Sequence, residues 1–243
     1  MIKSRTTLIV LTVSFLLYEY VVAAFMYNIG GMFSNFSYTF VISACVFFAL
    51  FVERTWDYAF TQIGLLCTVG ADYFLVLVDE QQRLPGMLFF SAAQVAYFCR
   101  LYFADKNEKS RRIHLILRVA ASVALPLICL IVLGKNADGV ALVSMFYYAN
   151  LFLNVVFAFK NFEKPGIFAI GLLVFLISDT VIGFHNLDCY FPIKEGSALY
   201  KFFHSSSELI YGFYLPSQVL ICTSLLPRRL AEIAERKQKI NAG

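Results

Sequence analysis

GIFAIGLLVFLISDTVIGF, residues 166–184, holds a single ionisable side chain, Asp179, among its 19 positions. A helix rises about 1.5 Å per residue, so a run of this length covers most of a hydrocarbon core about 30 Å thick. A helix at the surface of a soluble core carries a polar face, and this run has none. It therefore reads as a membrane span.

Working outward, seven more runs meet the same test, at about 7–27, 35–52, 59–78, 86–104, 113–133, 139–159 and 206–226. Short polar joints separate them, which leaves no room for an extramembrane domain. The composition agrees: 60% of the chain is hydrophobic and 15% charged, against about 25% charged in soluble domains. The expectation is an all-α integral membrane protein, one transmembrane domain over 1–243 built as an eight-helix bundle. Five cysteines (Cys45, Cys67, Cys99, Cys129, Cys222) lie inside apolar runs, and only Cys189 falls in a loop. That pattern points to neither a disulfide framework nor a metal knuckle.

Basic residues orient the bundle, because Lys and Arg accumulate in short cytoplasmic loops. With the N-terminus inside, the inner segments hold Lys3, Arg5, Arg54, Lys106, Lys109, Arg111, Arg112, Lys160, Lys164, Arg228, Arg229, Arg236, Lys237 and Lys239, 14 in all. The outer segments hold four: Arg83, Lys135, Lys194 and Lys201. Both termini are thus expected in the cytoplasm. The net charge of +4 belongs to span ends and suits a bilayer surface, with no nucleic-acid partner implied. Arg100 and Arg118 lie in the inner half of their spans and are expected to snorkel to cytoplasmic headgroups. The membrane is a bacterial inner membrane or a eukaryotic endoplasmic reticulum.

Charge at membrane depth is expensive, about 2.5–3.5 kcal/mol at the bilayer centre, so ionisable residues inside spans are functional candidates. Asp72 and Asp179 each stand 13 residues, and Glu19 stands 12, beyond the expected inner end of an outward-running span, a depth of about 20 Å. Glu208 approaches the same layer from the outer end of the last span. Nearby polar residues are Gln94 and Tyr97 on span four, Tyr147, Tyr148, Asn150 and Asn154 on span six, and Tyr211, Tyr214 and Gln218 on span eight. Polar side chains in a bundle ordinarily join helices, at about 0.6 kcal/mol per hydrogen bond. Paired carboxyl groups differ, since two acids out of water and close together cannot both ionise cheaply.

There is also an internal echo. Asp72 is followed by Phe89-Phe90 and Gln94-Val-Ala-Tyr97, and Asp179 by Phe202-Phe203 and Glu208-Leu-Ile-Tyr211. A parallel repeat of four spans with its site between the halves would produce this pattern.

Three stretches resemble the YhhN family of membrane proteins, whose characterised members are lysoplasmalogenases. They are Gly70-Ala71-Asp72 with Leu75; Gly86, Phe90, Gln94 and Tyr97; and Gly171, Phe175 and Ser178-Asp179. Tyr214-x-x-x-Gln218 is similar to the family's closing motif. Three positions depart from the pattern: Gln94 replaces the usual His, Ala71 stretches a Gly-Asp pair, and the Lys-Pro pair of span two is missing. The resemblance implies hydrolysis of the vinyl ether of a lysoplasmalogen, a lysophospholipid substrate, to a fatty aldehyde and a glycerophospho-alcohol. Under it Asp72 and Asp179 are the catalytic pair, no cofactor or metal is needed, and Gln94, Tyr97, Glu208, Tyr211, Tyr214, Gln218, Glu19 and Asn150 are substrate-binding candidates.

Other classes compete with this reading. A proton-coupled small-solute transporter also places acids at one depth between repeats, although Pro126 and Pro216 do not occupy corresponding positions. A non-catalytic lipid-binding bundle is a further alternative. For an intramembrane metal hydrolase the histidines fall short: His204 and Glu208 share a face, and only His185 is placed to join them.

Overall fold

Six of the expected spans fall on helices of this computed structural model, which describes residues 56–78, 82–160, 166–186, 189–191, 194–203 and 207–224, with positions 10, 13, 14, 17, 21 and 238. The first two expected spans lie almost wholly outside the described residues. We name the helices α1 (Trp56–Asp72), α2 (Arg83–Ala104), α3 (Glu108–Leu133), α4 (Gly139–Lys160), α5 (Gly166–His185), α6 (Ala198–Phe203) and α7 (Ser207–Thr223). No strand occurs among the described residues. Four of the helices, α2, α3, α4 and α5, are long and apolar enough to cross a membrane.

Local chemistry sets several boundaries. Asn107 caps α3, its side chain accepting from the Ser110 amide at 3.2 Å, and Glu108 follows in the first turn, where the helix dipole favours a negative charge. Asp138 caps α4 in the same way, accepting from the Ala141 amide at 2.7 Å. After Asp72, α1 widens into a π-helical turn, Tyr73–Leu77, closed by the Val78 amide donating to the Tyr73 carbonyl at 3.1 Å. A π turn takes up one residue more than an α turn. Ala71, the residue that stretches the Gly-Asp pair, directly precedes Asp72 and this turn.

The helices close into a ring. α1 packs on α2, α2 on α4, α4 on α5, α5 on α7, and α7 returns to α1. α3 stands outside the ring against α4, and its outer face is exposed and apolar, with Ile116, Val119 and Ile131 each more than half exposed. Water would penalise that surface, whereas lipid does not. Inside the ring lie Leu65, Phe90, Tyr97, Tyr147, Leu151, Phe168, Phe175, Tyr214 and Ile221.

Two glycines set the closeness of the packing. A Cβ on Gly171 would come within 3.0 Å of the Ile221 backbone nitrogen, and one on Gly64 would stand 2.2 Å from the Tyr97 ring. Small residues of this kind let spans approach backbone to backbone.

Arg100 and Arg118 correct an expectation. Neither reaches out to headgroups; both are buried, at 7% and 6% exposure. Arg100 donates to Ser224 Oγ at 2.7 Å and lies 4.1 Å from the centre of the Phe168 ring. Neutral acceptors and aromatic faces inside the bundle hold these two cations, so snorkelling is unnecessary.

Candidate functional site

Asp72 ends α1 and Asp179 lies about two-thirds of the way along α5, on separate walls of the ring. Each carboxyl receives a tyrosine hydroxyl from a third or fourth wall. Tyr214 on α7 donates to Asp72 Oδ2 at 2.8 Å, and Tyr147 on α4 donates to Asp179 Oδ2. Phe90 and Phe175 connect the two dyads: ring centres are 5.6 Å apart for Phe90 and Tyr147, 5.9 Å for Phe90 and Phe175, and 5.7 Å for Phe175 and Tyr214. The carboxyls are near enough to act on each other electrostatically, and each tyrosine senses both.

The surroundings of this pair are apolar. Asp72 is buried at 3% exposure and Tyr214 and Tyr147 at 4% each, whereas Asp179 keeps some accessible surface. Among the described residues no cation pairs with either carboxyl, and only the tyrosine hydroxyls donate to them. Two acids, two phenols and an aromatic wall out of bulk water make a site suited to holding and delivering a proton. Among the described residues no group of His, Cys, Asp and Glu is arranged to hold a metal ion.

Other predicted site residues are drawn elsewhere. Asn150 belongs to a second polar cluster, where Arg118 donates to its Oδ1 and Asn150 Nδ2 donates to Ser122 Oγ at 3.0 Å and to the Phe146 carbonyl at 2.7 Å. Arg118 also donates to Asn154 Oδ1 and to His114 Nε2, and it lies 4.2 Å from the Phe98 ring centre. Gln94 joins the same cluster, because Asn154 Nδ2 donates to both its side-chain and its backbone oxygen at 3.0 Å. The physical cause is the arginine: a buried guanidinium draws every neutral acceptor in reach.

Tyr97 packs edge-on to Phe168 at 5.6 Å and lies close enough to Tyr147 to interact with it electrostatically. Gln218, fully buried, donates to Ser217 Oγ at 3.3 Å. Glu19, and the side chains of Glu208 and Tyr211, lie outside the described residues.

Tyr147 is the residue that the internal echo passed over in favour of Tyr97 and Tyr211. Depth was the better signal. Tyr147 and Tyr214 both stand 12 residues from the expected inner ends of their spans, Phe159 and Leu226, beside 13 for the two aspartates.

No curated protein and no solved structure matches this chain. The model of the YhhN family matches residues 38–225, well over half of the sequence, including both aspartates and both tyrosines of the site. The four long apolar helices agree with a membrane protein, and the chain belongs to the YhhN family.

Proposed function

We propose that this protein is a lysoplasmalogenase-like hydrolase, an eight-span membrane protein with both termini in the cytoplasm, and that Asp72 and Asp179 are its catalytic acids. The observation that carries the reading is the pair of carboxyls, Asp72 buried and Asp179 partly so, each held by a tyrosine from a different helix and with Asp179 within electrostatic range of Asp72.

Vinyl ether hydrolysis requires acid catalysis. One carboxyl, protonated, delivers its proton to the outer alkenyl carbon, and the electron pair of the double bond forms the new C–H bond. Positive charge then develops at the ether-bearing carbon and its oxygen. The second carboxyl, ionised, stabilises that oxocarbenium ion and accepts a proton from the water that adds to it. The resulting hemiacetal expels the glycerol hydroxyl and leaves a fatty aldehyde, and the proton returns to the acid. Tyr147 and Tyr214 keep the carboxyls in place, and the Phe90–Phe175 wall borders the alkenyl chain.

The test is aldehyde release by purified protein from a lysoplasmalogen, with the 1-acyl counterpart as control. Asp72→Asn and Asp179→Asn should each reduce the rate by about 10²–10⁴-fold. Release that survives both substitutions would sink the site assignment, and a proton-driven flux in liposomes without cleavage of either lipid would transfer the acids to a transporter.

A further inference from the structure

Two polar atoms inside the ring stand out from their surroundings. Among the described residues neither Gln94 Nε2 on α2 nor Gln218 Oε1 on α7 has a hydrogen-bond partner, and both side chains are fully buried. One is a donor and the other an acceptor. The opposite end of each amide is already engaged: Gln94 Oε1 accepts from Asn154 Nδ2 at 3.0 Å, and Gln218 Nε2 donates to Ser217 Oγ at 3.3 Å. Turning the Gln94 amide over would set donor against donor at Asn154. Buried polar atoms are ordinarily paired, with protein or with an ordered water.

The two glutamines share one layer of the bundle. From Phe175 towards Phe168, α5 meets Phe90 and Tyr214 at 5.9 Å and 5.7 Å between ring centres, then the Ile221 backbone at Gly171, then the Tyr97 ring at 5.6 Å. Gln94 lies between Phe90 and Tyr97 on α2, and Gln218 between Tyr214 and Ile221 on α7. Both are four residues from the level of the acid pair, a rise of about 6 Å. Thr68 stands in the same layer on α1, midway between Gly64, which meets Tyr97, and Asp72, which meets Tyr214. It is fully buried, and its hydroxyl donates to the Gly64 carbonyl at 3.0 Å, so its oxygen can still accept. An internal water typically makes about three hydrogen bonds to buried polar groups.

We propose that Gln94 and Gln218 hold a water one turn from the acid pair, and that this water is the second substrate of the hydrolysis. The inference rests on the hydrolase reading and adds to it the source of the water. Gln94 Nε2 donates to the water, and the water donates to Gln218 Oε1. The aromatic wall of Phe90 and Phe175 keeps bulk water from the cation, so a molecule held one turn away is the one in reach. When the oxocarbenium ion forms, a lone pair of the water oxygen makes the C–O bond at the cationic carbon, and one water proton passes to the ionised carboxyl.

Purified protein in detergent tests this in two ways. Magnetic relaxation dispersion of water oxygen counts internal waters of long residence, and Gln218→Met, similar in length and apolar, should lower that count, as should Gln94→Met on the other helix. Methanol added to the alkenyl-lipid assay competes for the same cation: its oxygen makes the C–O bond, its proton goes to the carboxyl, and a mixed acetal forms in place of the aldehyde. The ratio of acetal to aldehyde should rise about fivefold in both methionine variants, a factor that one hydrogen bond can carry. Gln94→His keeps a donor and should hold the ratio within about twofold of the wild type. An unchanged water count in the methionine variants would overturn the site. A lower count with an unchanged ratio would make the water a structural one and overturn its role as substrate. If the count falls but the wild type cleaves no alkenyl lipid, the hydrolase reading fails and the water site stands.

Discussion

Tyr214 on α7 donates its hydroxyl to Asp72 on α1 at 2.8 Å, joining positions 142 residues apart. This bond lies where α7 returns to α1, the contact that closes the ring. Both partners are buried, so losing one hydroxyl would leave a carboxyl under-solvated in an apolar site. Hydrogen bonds to charged groups contribute about 1.5–3 kcal/mol. Tyr214→Phe should therefore lower aldehyde release about 10–100-fold, as should Tyr147→Phe through Asp179. Equal rates in both phenylalanine variants and the wild type would remove the tyrosines from the site.

The approach of Gly171 to the Ile221 backbone predicts a packing defect at a distance from the acids. A methyl group there has backbone in front of it, which cannot rotate away. Gly171→Ala should cost about 1–3 kcal/mol, the usual range for overpacking, seen as a lower melting temperature in detergent. Because α5 carries Asp179 and α7 carries Tyr214, activity should fall with it. Gly183→Ala, where a Cβ meets nothing within 4 Å, is the control and should melt like the wild type.

The Arg118 cluster is expected to act on stability more than on chemistry. Arg118→Met removes the donor to Asn150 and Asn154, and each buried oxygen left without a partner costs about 1–3 kcal/mol. The variant should unfold at a clearly lower temperature. Adding Asn150→Leu and Asn154→Leu removes the stranded amides and should recover part of the loss. A single variant as stable as the wild type would mean the cluster contributes nothing to folding.

Gln94 stands in that cluster through Asn154 rather than against either acid. Gln94→His should thus change aldehyde release by less than about tenfold, below the range for loss of a proton-transfer group. A hundredfold gain would place position 94 in the proton path.

What could be read directly from the chain was its helical, membrane-suited character and the level of its acids. Both are local properties. Hydropathy is set residue by residue, and a constant helix rise turns a count of 13 residues into a depth, so Asp72 and Asp179 could be placed in one layer before any packing was known. Which side chains meet within that layer depends on the rotation of each helix and the order of its neighbours, and those follow from contacts between distant segments. The echo of Asp72 with Tyr97 did not foresee that Tyr214 on α7 holds that acid, nor that Tyr147 on α4 holds Asp179. Asn150, nine residues from the expected inner end of its span, was also a binding candidate. Only the tertiary structure, with α3 packed outside the ring, brought a buried guanidinium beside it, and that charge made the stronger claim on its oxygen.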